Sequence, residues 1–186
     1  MLVWINGPFG VGKTTAANHL AAARPRCRHY DAETVGSMLR ANLVGVSIGD
    51  FQHLAAWRRL VPIVAKELAD QTGDDLVMVQ TVMRPTYRAE LGEGLEAAGI
   101  DVLQVLLDAA PQVLRERIEG DPLGLLAPGA AQWRMEHAEV YATAREAMIR
   151  DSDILIDTSD LDPEGVAQHL LRQLPEEWGA ERSSAP

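Results

Sequence analysis

The sequence predicts an α/β protein, a parallel sheet covered by helices on both faces in three layers, α/β/α. Two observations carry this expectation. Five short apolar runs alternate with longer segments of helical periodicity. The first run also leads straight through a glycine-rich turn into a helix, in the stretch WINGPFGVGKTT at 4–15. A chain of 186 residues is long enough to bury a sizeable core as one domain.

The elements follow in order. LVWI (2–5) reads as a buried strand, and TTAANHLAAA (14–23) as a helix of good formers. RCRHY (26–30) reads as the second strand, with a helix over 32–43 and another over 57–71 that Pro62 is expected to kink. LVMVQT (76–81) is the clearest strand, followed by a turn and helix over 84–99. DVLQVLL (101–107) is the fourth strand, and Pro111 suits the first position of a helix ending at Glu119. The glycine- and proline-rich stretch 120–130 reads as a mobile loop, before a long helix to about Arg150. DILI (153–156) is the fifth strand and 163–174 the last helix. The domain is therefore expected over 1–174, with a lid at about 120–133, a substrate arm at about 43–57 and a flexible tail at 175–186.

Composition narrows the function. A net charge of −10 leaves no basic face for nucleic acid or an anionic membrane. One cysteine, Cys27, excludes an internal disulfide and suits a reducing compartment. The start lacks a basic segment followed by a long apolar run, and no stretch approaches the roughly 18 apolar residues of a membrane span. The expectation is a cytoplasmic protein.

Gly7-Pro8-Phe9-Gly10-Val11-Gly12-Lys13-Thr14 satisfies G-x-x-x-x-G-K-[ST], with a strand before it and a helix after it. Such a P-loop strips side chains from the backbone so that successive N–H groups wrap a phosphate chain. The helix start adds unpaired donors and the positive end of its dipole. Lys13 is expected at the β- and γ-phosphates of ATP, the Thr14 hydroxyl on Mg²⁺, and Thr15 at the α-phosphate. Lysine is otherwise almost absent, the second being Lys66, so its presence here is informative. No N-K-x-D is present to read guanine, and the length suits a small phosphotransferase of the nucleotide-kinase type.

WINGPFGVGKTT, DAETVGSMLR (31–40) and DFQHLAAWRR (50–59) resemble the tunicamycin-resistance ATP-binding proteins. That family belongs to the wider P-loop group of nucleoside, nucleotide, shikimate and gluconate kinases. The resemblance implies ATP binding, a 2-3-1-4-5 sheet, a mobile lid and, less directly, antibiotic resistance. Asp31 then corresponds to an aspartate that contacts the acceptor hydroxyl or Mg²⁺; as plain sequence it is a helix N-cap. Arg40 resembles a substrate-binding arginine, against a solvated helix residue. In this group the third strand usually ends in a Mg²⁺-organising acid, whereas here it ends Gln80-Thr81. Asp108, closing the fourth strand, is the nearest replacement, and a helix cap is the alternative. Thr81 is a candidate substrate contact, and so is Arg84 just past the third strand, against a plain surface arginine. VLRERIEGD (113–121) resembles the helix into a kinase lid and makes Arg117 the candidate to stack on adenine. Arg134 and His137, one turn apart, are candidates to face the phosphates or the acceptor. DTSDL (157–161) resembles a loop that reads the adenine edge, with Thr158 and Ser159 as contacts.

The arm at 43–57 carries Val44, Val46, Ile48, Phe51, Leu54 and Trp57 among few charges, so Trp57 is a candidate contact for an apolar part of the acceptor. Packing onto the core explains the same residues. Gly45-Val46-Ser47-Ile48-Gly49 imitates a nucleophile elbow, but that reading leaves the P-loop unexplained. Three functions remain: an ATP- and Mg²⁺-dependent kinase of a small hydroxylated molecule, a nucleoside or nucleotide kinase, and an ATP-dependent drug binder without chemistry.

Overall fold

The structure, a computed structural model, describes residues 1–121 and 129–181. The central strand β1 (Leu2–Asn6) is buried along its whole length. It pairs in parallel with β3 (Asp75–Val79) on one side and β4 (Val102–Asp108) on the other. β2 (Cys27–Asp31) lies outside β3, and β5 (Ile154–Asp157) outside β4. The order is therefore β2-β3-β1-β4-β5, the expected 2-3-1-4-5 sheet.

Every crossover carries a helix. α1 (Lys13–Ala23) follows β1, and α2 (Glu33–Asn42) and α3 (Ala55–Thr72) follow β2. α4 (Pro85–Ala97) follows β3, α5 (Pro111–Glu119) and α6 (Ala130–Arg150) follow β4, and α7 (Pro163–Gln173) follows β5. Side chains on β1 alternate between two cores. Val3 and Ile5 pack with Ala16, Leu20, Val166 and Leu170 of α1 and α7. Leu2 and Trp4 pack with Trp57, Val61, Leu91 and Leu95 of α3 and α4. Burial on both faces is why the strands read as unbroken apolar runs rather than alternating ones.

Several expectations are adjusted. β3 ends at Val79, so Gln80 and Thr81 stand just past the strand. α3 runs through Pro62, whose ring seats against Gly94 of α4; a Cβ at Gly94 would meet it at 2.7 Å. Residues 122–128 of the expected lid lie outside the described residues, and from Ala130 onward the chain is already α6. The boundary at 174 also moves. Trp178 is 1 % exposed in the core beside α1 and α7, and the Gly179 N–H donates to Asp75 Oδ2 at 2.8 Å. A buried indole forbids a loose segment there, so the packed body extends through Gly179.

Candidate active site

The loop from Gly7 to Gly12 joins β1 to α1 across the carboxyl end of the sheet, the edge where ligands bind in open α/β folds. Gly7 has φ 145°, and a Cβ there would lie 2.3 Å from the Leu107 carbonyl oxygen. Only glycine fits. Asn6 holds the entry: its Oδ1 accepts from Gly7 N (2.8 Å) and Val82 N (3.0 Å), while its Nδ2 donates to Val82 O (3.1 Å). Thr81 Oγ1 donates to Gly7 O at 3.0 Å from the other side. The loop is thus tied to the segment after β3 before any ligand arrives. Sequence reasoning passed over Asn6, although a polar residue closing an apolar run was a visible signal.

Lys13 is buried, and its Nζ donates to Gly7 O (3.0 Å) and Pro8 O (2.7 Å). Burial pulls its ammonium down to about 7; Glu33 opposes this and Arg134 adds to it. Above it opens a cleft of about 740 Å³, lined by Phe9 to Thr15, Glu33, Val79, Gln80, Thr81, Arg117, Asp121, Arg134 and the apolar trio Leu161, Pro163 and Val166. The expected phosphate cradle is therefore one continuous surface. Thr14 offers a hydroxyl at the start of α1. Among the described residues no cluster of three or more His, Cys, Asp or Glu could hold a metal by itself.

The structure does not bring the Asp31 carboxylate to the cleft lining. Asp31 is exposed, and its Oδ1 accepts from the N–H of Glu33, the first residue of α2, at 2.9 Å; the N-cap position itself is Ala32. Glu33, two residues on, faces the cleft instead. Burial raises its carboxyl above the usual range; Asp31 and Asp50 add to this, and Lys13 opposes it. Glu33 was missed because the switch from strand to helix reorients successive side chains there. Asp108 is no metal-shell acid either. It is buried, accepting from Tyr141 Oη (2.8 Å) and from Arg145 Nε (2.8 Å) and Nη2 (2.6 Å), so it fastens α6 to the end of β4.

The remaining candidates divide. Thr81 and Arg134 line the cleft, and Arg134 forms an ion pair with Asp121. His137 does not line it. The ring stacks on Trp133 (centroids 3.9 Å) and meets Phe9 edge-on (5.7 Å). Arg40 donates to Gly49 O at 3.3 Å and holds the arm. Trp57 is fully buried and donates to Ala32 O at 3.0 Å, so it is core rather than a ligand contact. Arg84 is exposed over the Tyr87 ring.

Arg117 does reach the cleft, with its guanidinium fixed by Thr158 Oγ1 (3.0 Å), Thr158 O (2.7 Å) and Leu161 O (3.4 Å). Thr158 is wholly buried, and Ser159 donates twice to Asp157 Oδ1 while accepting from Ala110 N. These two side chains shape the loop; the cleft wall beside them is Leu161, Pro163 and Val166.

Residues 2–120 match the family model described as AAA domain. No curated protein matches the chain. Among solved structures, it is similar to a tunicamycin resistance protein of Deinococcus radiodurans, with 26% identity over 92% of this chain and 94% of that one, and a TM-score of 0.72. It is also similar to the APS kinase of Mycobacterium tuberculosis solved with AMPPNP and APS, at 24% identity, 92% and 95% coverage and a TM-score of 0.60. A sugar kinase from a Janibacter species matches at 22% identity over 92% of each chain, with a TM-score of 0.62. The two kinases, below 25% identity, establish the fold alone.

Proposed function

Because this chain belongs to the AAA domain family (AAA_33), a P-loop kinase-like group, we propose that it transfers the terminal phosphoryl group of ATP to a hydroxyl of a small molecule. One observation carries the reading: a buried lysine, Lys13, and the carboxylate of Glu33 at the exposed start of α2 line the same cleft beside a bare phosphate cradle. Lys13 and the N–H groups at the start of α1 hold the phosphates, and Arg117 carries the base. The Thr14 hydroxyl would hold Mg²⁺, which when bound would supply charge neutralisation during transfer. Glu33 accepts the proton of the attacking hydroxyl, a task its raised pKa suits. Arg134 stands at the lid side of the cleft as the cation for the developing charge.

The likeness to the Deinococcus radiodurans protein supports tunicamycin, a hydroxyl-rich nucleoside antibiotic, as acceptor or ligand. Gln80 in place of a carboxylate just after β3 favours a second reading, an ATP-dependent binder that holds the drug without transfer. Mass spectrometry of tunicamycin incubated with protein, ATP and Mg²⁺ separates the two. A gain of one phosphate supports the kinase, and unchanged but bound drug supports the binder. The base assignment is tested by a pair of variants. Glu33→Gln is expected to keep ATP binding and to lose roughly 10²–10⁴-fold in transfer. Asp31→Asn is expected to lose under about 10-fold, the effect of a weakened hydrogen bond to the Glu33 N–H. A larger loss in Asp31→Asn than in Glu33→Gln would return the role to Asp31.

A further inference from the structure

Resting on the phosphotransferase reading above, we propose that the nucleotide base is held by stacking alone, so that the donor site takes purine and pyrimidine nucleoside triphosphates alike. Beside Arg117 the cleft wall is Leu161, Pro163 and Val166. The polar groups of that wall are spent within the protein. The Leu161 N–H donates to Thr158 O (3.2 Å), and the Leu161 carbonyl accepts from Arg117 Nη2 (3.4 Å). Pro163 has no N–H and opens α7, and the Val166 N–H donates to Asp162 O at 3.0 Å. Neighbouring side chains are occupied too. Thr158 Oγ1 accepts from Arg117 and donates to Val11 O, Ser159 Oγ bridges Asp157 and Ala110, and Asp162 Oδ1 accepts from Gly165 N. The backbone N–H groups of Thr158 and Ser159 go to Asp108 O and Asp157 Oδ1. A base lying on this wall meets carbon.

Arg117 supplies the stack. Bonds to Thr158 Oγ1, Thr158 O and Leu161 O fix the plane of its guanidinium and use both Nη2 hydrogens. The face of a guanidinium attracts any nucleobase, because every base has a π-face. The other donors, one on Nη1 and that of Nε, do not choose among bases, since each base carries acceptors on its edges. Asp121, also on the cleft, is paired with Arg134. Glu33, Gln80 and Thr81 follow β2 and β3, on the other side of β1 from this wall, which follows β4 and β5. Residues 122–128, Pro-Leu-Gly-Leu-Leu-Ala-Pro, add no polar side chain by sequence. A site that hydrogen-bonds a base edge rejects the wrong base strongly, because its own buried groups are then left unpaired; an apolar wall does not. Selection falls to the triphosphate, through Lys13 and the N–H groups at the start of α1.

The test is calorimetry on the whole chain with Mg²⁺ and each of ATP, GTP, CTP, UTP and inorganic triphosphate. The four nucleotides are expected within about 10-fold of one another, and each at least about 5-fold tighter than triphosphate, the gain from a stack. A wider preference for one base, or nucleotides no tighter than triphosphate, would overturn the inference and leave the phosphotransferase reading standing. Binding of none of the five would remove both. Thr158→Val takes away the hydroxyl that accepts from Arg117 while keeping the side chain's size, and Thr158→Ser keeps the hydroxyl. The valine variant should weaken all four nucleotides by one similar factor, roughly 3–10-fold, with triphosphate within about 2-fold. The serine variant should restore them. Arg117→Ala, which does not depend on the core tolerating valine, should bring each nucleotide to within about 3-fold of triphosphate. A loss confined to one nucleotide, an equal loss for triphosphate, or no loss in either the valine or the alanine variant would overturn the stack on Arg117.

Discussion

Lys13 lies under its own loop with its ammonium on two neutral carbonyls, and burial holds it at about 7. A phosphate offers the same ammonium an anion and favours the charged form. Binding therefore takes up a proton wherever the pH lies above about 7. ATP affinity is expected to fall as pH rises from 7 toward 9, by at most about 10-fold per unit for a one-proton linkage. Calorimetry at pH 8 in buffers of different ionisation enthalpy reads the uptake directly; zero uptake would contradict the assignment. Lys13→Ala should weaken ATP roughly 10–100-fold, as loss of a charge-assisted hydrogen bond does, and should abolish that pH dependence. At this scale the sequence was legible where the chemistry is contiguous, as from Gly7 to Thr15. It was not legible at Asp31 and Glu33, because which carboxylate enters the cleft is set by the backbone where β2 turns into α2.

Among the elements, α6 is fastened at both ends. Its first turns carry Trp133 against Phe9 of the cradle, and Arg134 paired with Asp121. Its later turns hang on Asp108 through Tyr141 and Arg145. Asp108→Ala leaves the Tyr141 hydroxyl buried and unpaired and frees Arg145. A loss of about 2–4 kcal/mol is expected in urea unfolding, against about 1 kcal/mol for Tyr141→Phe. Equal and negligible losses would show that α6 is held by apolar packing alone. The arm behaves likewise. Gln52 Nε2 donates to Thr81 O at 2.9 Å, Arg58 binds Glu90 and the Gln52 carbonyl, and Phe51 lies against Gly36, where a Cβ would come within 2.6 Å. Arg40 and Trp57, read from sequence as ligand contacts, serve this docking and the core. Sequence marks them as arginine and tryptophan in an arm; only packing tells which way they face.

For the whole molecule, the segment after α7 closes the end of the sheet opposite the cleft. Trp178 enters the core, Arg26 N donates to Gly179 O at 3.0 Å, and Asp75 accepts from both Gly179 N and the Met1 ammonium. Trp178→Ala, or truncation after Leu174, should cost about 3–5 kcal/mol in denaturant unfolding, the usual loss for a buried large aromatic. An unchanged midpoint would restore the loose tail. Five apolar runs, their helical spacers and the glycine-lysine turn determined the sheet class and the phosphate cradle, because periodicity and a local turn are written in neighbouring residues. Family resemblance supplied the strand order before the structure did. Tertiary structure alone decided that Glu33 faces Lys13, that Asn6 and Thr81 hold the cradle, that Asp108 is an anchor, and that Thr158 holds Arg117. Each of those facts depends on residues far apart in sequence meeting at one edge of the sheet, and no short-range pattern encodes such a meeting.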